Sequence, residues 1–99
     1  MEIIREGSRV TVVTDNRIDA YGAPQFAEAM ETALDGAEAL TLDFGCLKYI
    51  SSSGLRAVML AVKTMRRQGA MRIVNVRAEI YDILETTGFT GLCDVEMKS

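Results

Sequence analysis

The sequence predicts an α/β domain on the strength of two observations. Short runs of β-branched and apolar residues alternate with longer segments in which apolar residues recur every three or four positions. Strands that alternate with helices form a largely parallel sheet through right-handed crossovers. The chain has 99 residues, fewer than the roughly 150 of a typical domain. We therefore predict one domain over residues 1–99, with helices packed against a mixed, mostly parallel sheet in the order ββαβαβαβ.

The first third of the chain predicts two strands, a loop and a helix. The segment Ile3–Arg5, with two isoleucines, and the β-branched run Val10–Thr14 indicate strands. Turn-forming residues dominate Asp15–Gly22, which we expect to be an irregular loop. Pro24 suits the first turn of a helix, because its missing N–H has no helical partner there, and Gly36 suits the position after the helix. The apolar stripe of this helix comprises Phe26, Met30, Ala33, Leu34 and Ala37.

The rest of the chain predicts three strands and two helices. The strands are expected at Leu40–Phe44, Met71–Val76 and Cys93–Met97. The longer helix has basic residues in its last turn and a glycine after it, and both suit the negative end of the helix dipole. The shorter helix ends before Gly88 and contains the apolar residues Ile80, Ile83 and Leu84. The apolar stripe of the longer helix comprises Leu55, Val58, Met59, Val62 and Met65. Of these we expect Met59 and Met65 in the core, together with Phe44 and Phe89.

Composition excludes several classes of active site. The chain has no histidine, so it cannot contain a Ser-His-Asp or Cys-His nucleophile or a histidine-ligated zinc or iron site. Cys46 and Cys93 are too few for a zinc cluster. We expect both to be reduced thiols in the core, although a disulfide between them stays open. The sequence therefore predicts no metal site and no bound cofactor.

Charge and hydropathy limit the partners and the location. The 11 basic and 14 acidic residues give a net charge of −3, and no long basic tract is present, which argues against nucleic-acid binding. The apolar run Ala57–Val62 is far shorter than the ~18 residues of a membrane span, so we expect no membrane insertion. The N-terminus lacks the basic start and apolar stretch of a signal peptide. We therefore expect a cytoplasmic protein. The short length of the chain leads us to expect a monomer when it is free.

Three consecutive serines, Ser51, Ser52 and Ser53, precede Gly54 between a predicted strand and a predicted helix. One serine oxygen at a helix start accepts a hydrogen bond from a free backbone N–H and stabilises the helix by about 1 kcal/mol. A helix start also favours anions, and phosphorylation there would add a charge of about −1.5 to −2. Arg56 lies four residues after Ser52, where a helix would let it pair with that charge. Capping accounts for one serine, so a phosphorylation site stays open beside it.

Motifs of nucleotide and ester chemistry are absent. The sequence has neither the GxxxxGK[ST] phosphate loop nor the GxSxG nucleophile elbow. A small hydrolase or a phosphoryl carrier is the enzymatic alternative, and the lack of histidine and of metal ligands argues against it. We therefore predict that the protein is not an enzyme and has no catalytic residues.

Four short motifs follow one another along the chain. Ile18–Ala20 reads Ile-Asp-Ala, Leu40–Phe44 is an apolar strand with an aspartate near its end, Tyr49–Leu55 contains Ser-Ser-Ser-Gly-Leu, and Ile83–Phe89 closes a short helix on Thr-Gly. In these motifs, and over about Ile4–Val95, the chain resembles the STAS domain family, specifically the bacterial anti-sigma factor antagonists. The family's own motifs are an early Leu-Asp-Ala, a strand ending in aspartate, Asp-Ser-Ser-Gly-Leu and a final Thr-Gly.

The resemblance implies a protein switch controlled by phosphorylation. The family's phosphorylated serine stands two residues before the glycine, which is Ser52 here, while Ser51 replaces the usual aspartate. Ser51 and Ser53 are the less favoured candidates. The unmodified form would bind an anti-sigma factor, usually a serine kinase, until phosphorylation ends the interaction and a serine phosphatase resets it. The alternative is a STAS module that is never phosphorylated and serves as a scaffold or subunit in a signalling or lipid-transport assembly.

The same resemblance implies a partner surface around the serines. Asp19 matches the acidic residue that the family places near the serine loop, although a turn-forming role explains it equally well. Tyr21 and Tyr49 could anchor a partner, because aromatic residues are enriched at interface centres, and the alternative is that both are simply half-buried. The basic residues farther along the helix, Lys63 and Arg67, are expected to be solvated. The predicted partner-binding residues are Asp19, Tyr21, Tyr49, Ser51, Ser53, Gly54 and Arg56.

Overall fold

The computed structural model describes residues 1–99 and confirms the predicted alternation of strands and helices. The strands are β1 (Glu2–Glu6), β2 (Arg9–Val13), β3 (Arg17–Ile18), β4 (Ala39–Asp43), β5 (Tyr49–Ile50), β6 (Ala70–Val76) and β7 (Asp94–Met97). The helices are α1 (Ala23–Leu34), α2 (Ser52–Gln68) and α3 (Ala78–Thr86), followed by a 3₁₀ turn at Phe89–Gly91. No helix has both the length and the apolar composition needed to cross a membrane.

Five strands form one sheet in the order β1-β2-β4-β6-β7. β1 is antiparallel to β2, and the other neighbours are parallel, which confirms the mixed, mostly parallel prediction. The crossovers from β2 to β4, from β4 to β6 and from β6 to β7 all step in the same direction. Right-handed crossovers of this kind place all their helices on one face of the sheet. The three helices therefore begin together at the carboxyl edge of the parallel strands.

The core lies between the sheet and the helix layer and is one cluster of 24 buried side chains. Phe26 of α1 and Leu42 of β4 are fully buried. Phe44 and Phe89 are also buried, as predicted. Met59, which was expected in the core, is only half-buried and packs against its edge. The apolar stripes of α1 and α2 thus point toward the sheet, and their polar sides face solvent.

β3 and β5 form a separate, two-stranded parallel sheet. The prediction of an irregular loop over Asp15–Gly22 is therefore wrong for two residues of that segment. Two residues are too few for a periodic pattern to reveal a strand, and only the pairing with β5 makes them one. Ile18 and Ile50 are both buried, so this small sheet is part of the core rather than a surface feature.

The cysteines do not form the predicted pair of core thiols. Both are free, with Cys46 exposed in the loop after β4 and Cys93 half-buried before β7. The residues that this loop buries are Phe44 and Leu47, and Cys46 between them faces solvent. Burial raises the pKa of the Cys93 thiol, and the negative charge of the adjacent Asp94 raises it further.

Candidate functional site

The serine segment forms the start of α2. Ser51 is the N-cap residue, and its hydroxyl accepts a hydrogen bond from the backbone N–H of Gly54 at 3.1 Å. The carbonyl oxygen of Ser51 accepts a second bond from the N–H of Leu55 at 2.9 Å. One of the three serines therefore does cap the helix, and Ser52 and Ser53 occupy its first two positions.

The third position of α2 is Gly54, which is buried. A Cβ atom there would lie 2.8 Å from Ile18 Cγ2 and 2.8 Å from Ile50 Cγ1. Carbon atoms in contact are normally separated by about 3.5–4.0 Å, so a side chain at this position would collide with the small sheet. The glycine thus lets the first turn of α2 pack directly on β3 and β5.

The small sheet of β3 and β5 also brings the loop that contains Asp19 beside the three serines. Ile18 pairs with Ile50, and the N–H of Ser51 donates to the carbonyl oxygen of Ile18 at 2.8 Å. Asp19 directly follows Ile18, and Ser51 directly follows Ile50. The two residues therefore come at the ends of two neighbouring strands. The structure therefore places Asp19 next to the serine loop, as the resemblance implied.

Asp19 shapes the turn that leads into α1. Its Oδ1 atom accepts hydrogen bonds from the backbone N–H groups of Tyr21 at 3.1 Å and Gly22 at 2.8 Å. Its Oδ2 atom lies 3.8 Å from Nε of Arg17. The turn-forming interpretation of Asp19 is therefore confirmed, and one of its oxygens is committed to the backbone.

The other predicted site residues around the serines, apart from the buried Gly54, have exposed side chains. Tyr21 is 93% exposed and Tyr49 is 45% exposed, and Ser52, Ser53 and Arg56 are exposed as well. We call these five side chains the serine-loop surface. An almost fully exposed aromatic ring leaves a large apolar area in water, and such rings are favoured at the centres of protein interfaces.

Two features of this region were missed by the sequence analysis. The guanidinium group of Arg17 lies over the ring of Tyr49, 4.8 Å from its centroid, which holds the ring by a cation–π contact. A shallow depression of about 230 Å³ separates the starts of α1 and α2, and it is lined by Ala20, Ala23, Pro24, Ala27 and Ser53. The basic residue directly before the Ile-Asp-Ala motif was a usable signal for the first feature, but no sequence pattern marks the second.

A second carboxylate fixes the loop that leads from β4 toward the serines. Oδ1 of Asp43 accepts hydrogen bonds from the N–H of Gly45 at 2.9 Å and from Nδ2 of Asn75 at 3.2 Å. Asp43 therefore ties this loop to the neighbouring strand β6. No three acidic or cysteine side chains of the chain come together as a metal site would require.

Comparison with known proteins identifies the family. The model of the STAS domain matches residues 2–98. BtrV of Bordetella bronchiseptica, which is provisionally named an anti-sigma factor antagonist, is 31% identical over 80 residues that cover 79% of this chain and 69% of BtrV. The anti-sigma-B factor antagonist of Listeria monocytogenes is 26% identical over 94 residues, or 93% of this chain and 82% of that protein.

Solved structures share the fold. An anti-sigma-factor antagonist (STAS) domain protein from Planctomyces limnophilus has a TM-score of 0.87 at 14% identity, over 99% of this chain and 90% of that chain. The phosphorylated form of SpoIIAA, a cell fate determinant of Bacillus, has a TM-score of 0.76 at 14% identity, over 95% of this chain and 88% of that chain. With residues 2–98 matched by the family model and its fold matched by these structures, this chain belongs to the STAS domain family.

Proposed function

We propose that this protein is an anti-sigma factor antagonist that binds an anti-sigma factor through the serine-loop surface and is released by phosphorylation of Ser52. The names of the relatives from Bordetella bronchiseptica and Listeria monocytogenes support the general role. The protein acts in the cytoplasm by binding and not by turnover. The partner is a serine kinase in this proposal, and a serine phosphatase restores the unmodified form.

The observation that carries this proposal is the position of Ser52. It is exposed at the first position of α2 and its hydroxyl makes no hydrogen bond within the chain. The hydroxyl of Ser51 is occupied by the N–H of Gly54, so phosphorylation there would break the helix cap. Ser53 borders the depression toward α1. Ser52 and Ser53 are both exposed, and of the two it is Ser52 that stands two residues before Gly54, where the family has its phosphorylated serine.

The serine at position 51 is compatible with such a switch. Serine and aspartate are about equally good helix caps, so Ser51 keeps the helix start that an aspartate would give. It also removes a negative charge directly beside Ser52. A phosphate on Ser52 therefore meets less repulsion here than it would beside an aspartate.

The sign of the effect follows from where the phosphate would lie. In the free domain, a negative charge at a helix start is stabilised by the dipole. Against a partner, the same charge must lose its water and can meet acidic groups, which opposes binding. The SpoIIAA structure in its phosphorylated form has the same fold as this chain, which supports a domain that tolerates the modification.

The partner contacts divide into two roles. Tyr21, Tyr49 and Arg56 offer exposed aromatic and cationic groups, and Tyr21 is the proposed anchor because it is 93% exposed. Asp19 and Gly54 act indirectly, since one holds the turn below Tyr21 and the other lets α2 pack on the small sheet. Ser51 and Ser53 complete the surface as the cap and as one wall of the depression.

A pull-down from a lysate of the source organism tests the proposal. The baits are the wild type, Ser52→Ala, Ser52→Asp and Tyr21→Ala, and the captured proteins are identified by mass spectrometry. We expect a kinase-like anti-sigma factor with the wild type and Ser52→Ala, and its loss with Ser52→Asp. Tyr21→Ala should weaken capture without changing stability, because the side chain contacts little of its own chain.

Ser53→Asp is the matched control, since it adds the same charge one residue farther along α2. It should reduce capture less than Ser52→Asp. A partner held equally by the wild type and Ser52→Asp would contradict the switch and favour the scaffold or subunit that is never phosphorylated. Turnover of nucleotide or ester substrates by the purified chain would contradict the non-enzymatic role.

A further inference from the structure

The outer sides of α1 and α2 carry opposite charges. α2 contains four basic residues and no acidic one, whereas α1 and the residue after it contain three acidic residues and no basic one. All seven side chains are exposed, and none takes part in the three salt bridges of the chain. The basic residues are Arg56, Lys63, Arg66 and Arg67, and the acidic residues are Glu28, Glu31 and Asp35.

The two helices lie side by side and run in the same direction. At their C-terminal ends, Nε2 of Gln68 donates to the carbonyl oxygens of Leu34 at 2.9 Å and Ala37 at 2.8 Å. At their N-terminal ends, Ser53 borders the same depression as Ala23. The pair therefore presents one continuous face that is acidic along α1 and basic along α2.

The opposite charges have matching spacing. Glu28 and Asp35 are seven residues apart, and so are Arg56 and Lys63. Seven residues make two helical turns, or about 10.5 Å along the axis, so each pair lies on one side of its helix. Leu60 stands between Arg56 and Lys63 and is 58% exposed.

We propose that this α1–α2 face binds a second copy of the chain. A two-fold axis along the groove between the helices sets α1 of each copy on α2 of the other, which gives an isologous interface. Glu28 then faces Arg56 and Asp35 faces Lys63, and each contact occurs twice. Leu60 lies between the ion pairs as the apolar centre. Because exposed ion pairs contribute little each and are screened by salt, the dimer is weak and salt-sensitive.

This inference does not depend on the proposed function. Chain length alone led us to expect a monomer, but length carries no information about surface charge. Self-association would cover Arg56, which belongs to the serine-loop surface. A dimer would therefore compete with the anti-sigma factor for one side of the same helix.

Sedimentation equilibrium of the full chain tests the proposal at about 0.01 M and about 1 M ionic strength, between which the Debye length falls from about 30 Å to about 3 Å. We expect the wild type to dimerise at low ionic strength and to dissociate at high ionic strength. The variants E28K/D35K and R56E/K63E should each be monomeric, because like charges then face each other. An equal mixture of the two should associate again, since one chain is acidic and the other basic on this face.

Arg9 and Arg72 provide the matched control. They are exposed on the strands, where they alternate with the buried residues Val10, Met71 and Ile73 that face the helices. The variant R9E/R72E makes the same change in net charge as R56E/K63E and should leave the dimer intact. Leu60→Asp should weaken dimerisation about tenfold or more. Circular dichroism verifies that each variant is folded.

Three outcomes would overturn the proposal. The first is a wild type that stays monomeric at low ionic strength. The second is an equal loss of association in R9E/R72E, because the effect would then depend on net charge. The third is a mixture of the two charge-reversed variants that fails to associate.

Discussion

α2 and α3 begin at the same edge of the sheet but are anchored in different ways. In α2 the hydroxyl of Ser51 caps the helix at 3.1 Å from the N–H of the third residue, Gly54. In α3 the cap position is Arg77, whose side chain makes no capping bond, and the third residue is the buried Ile80. One helix start is thus held by a hydrogen bond and a close backbone approach, and the other by burying a large side chain.

The two helix starts also differ in how much an added negative charge should stabilise them. The first turn of α2 contains no acidic residue, and its first two positions are exposed serines. The first turn of α3 already contains Glu79. Because negative charge is favourable near a helix N-terminus, the dipole of α3 is partly compensated by its own sequence. The dipole of α2 has no such compensation, so an added negative group can interact with it.

Replacing Gly54 should have the largest effect of the changes considered at these two helix starts. Gly54→Val would place side-chain atoms where a Cβ alone lies 2.8 Å from Ile18 and Ile50. We expect a loss of about 2–3 kcal/mol in the free energy of unfolding, at the upper end of the cost of overpacking. Ala78→Val at the exposed start of α3 should stay within about 0.5 kcal/mol. Urea unfolding of both variants measures the two losses in the free energy of unfolding. Equal losses would show that close packing of α2 on the small sheet is not the reason for a glycine at position 54.

The regular elements could be predicted because they repeat a pattern. The stripe that includes Phe26 and Met30 in α1 marks a helix, and the β-branched run Val10–Thr14 marks a strand that the structure places at Arg9–Val13. The cap could also be predicted, since Ser51 precedes an apolar stripe. Local residue types and spacing are sufficient for features of this kind.

The rest of the site depends on contacts that are distant in the sequence. β3 is a strand only because Ile18 pairs with Ile50, which follows it by 32 residues in the chain. The contact of Arg17 with Tyr49 depends on the same pairing. The exposure of Cys46 depends on which neighbours the loop buries. None of these features produces a local repeat of apolar and polar residues, so they could not be predicted from patterns in a single sequence.

Removing the cap of α2 should have an intermediate effect. Ser51→Ala deletes the oxygen that accepts the N–H of Gly54 and should cost about 1 kcal/mol of stability. Ser51→Asp restores an oxygen acceptor and should stay close to the wild type. Thermal unfolding of the two variants separates the cap from any other role of the serine. A loss in Ser51→Asp as large as in Ser51→Ala would contradict capping as the reason for this residue.

The smallest effect on stability should come from Ser52→Asp. The new carboxylate lies at the uncompensated start of α2, so it should raise the free energy of unfolding by about 0.3–1 kcal/mol at low ionic strength. Ala78→Asp adds the same charge at the first position of α3 and should gain less, because Glu79 already lies in that turn. Urea unfolding at low and high salt measures both variants, and salt should reduce the difference between them.

Ser52→Asp also separates the stability of the fold from partner binding. A variant that is at least as stable as the wild type and yet fails to hold the anti-sigma factor has lost binding at the interface and not through unfolding. A destabilised Ser52→Asp would mean that the start of α2 does not accept a negative charge. The phosphate would then end the interaction by destabilising the start of α2. The different dipole compensation of α2 and α3 would no longer explain why the serines lie at the start of α2.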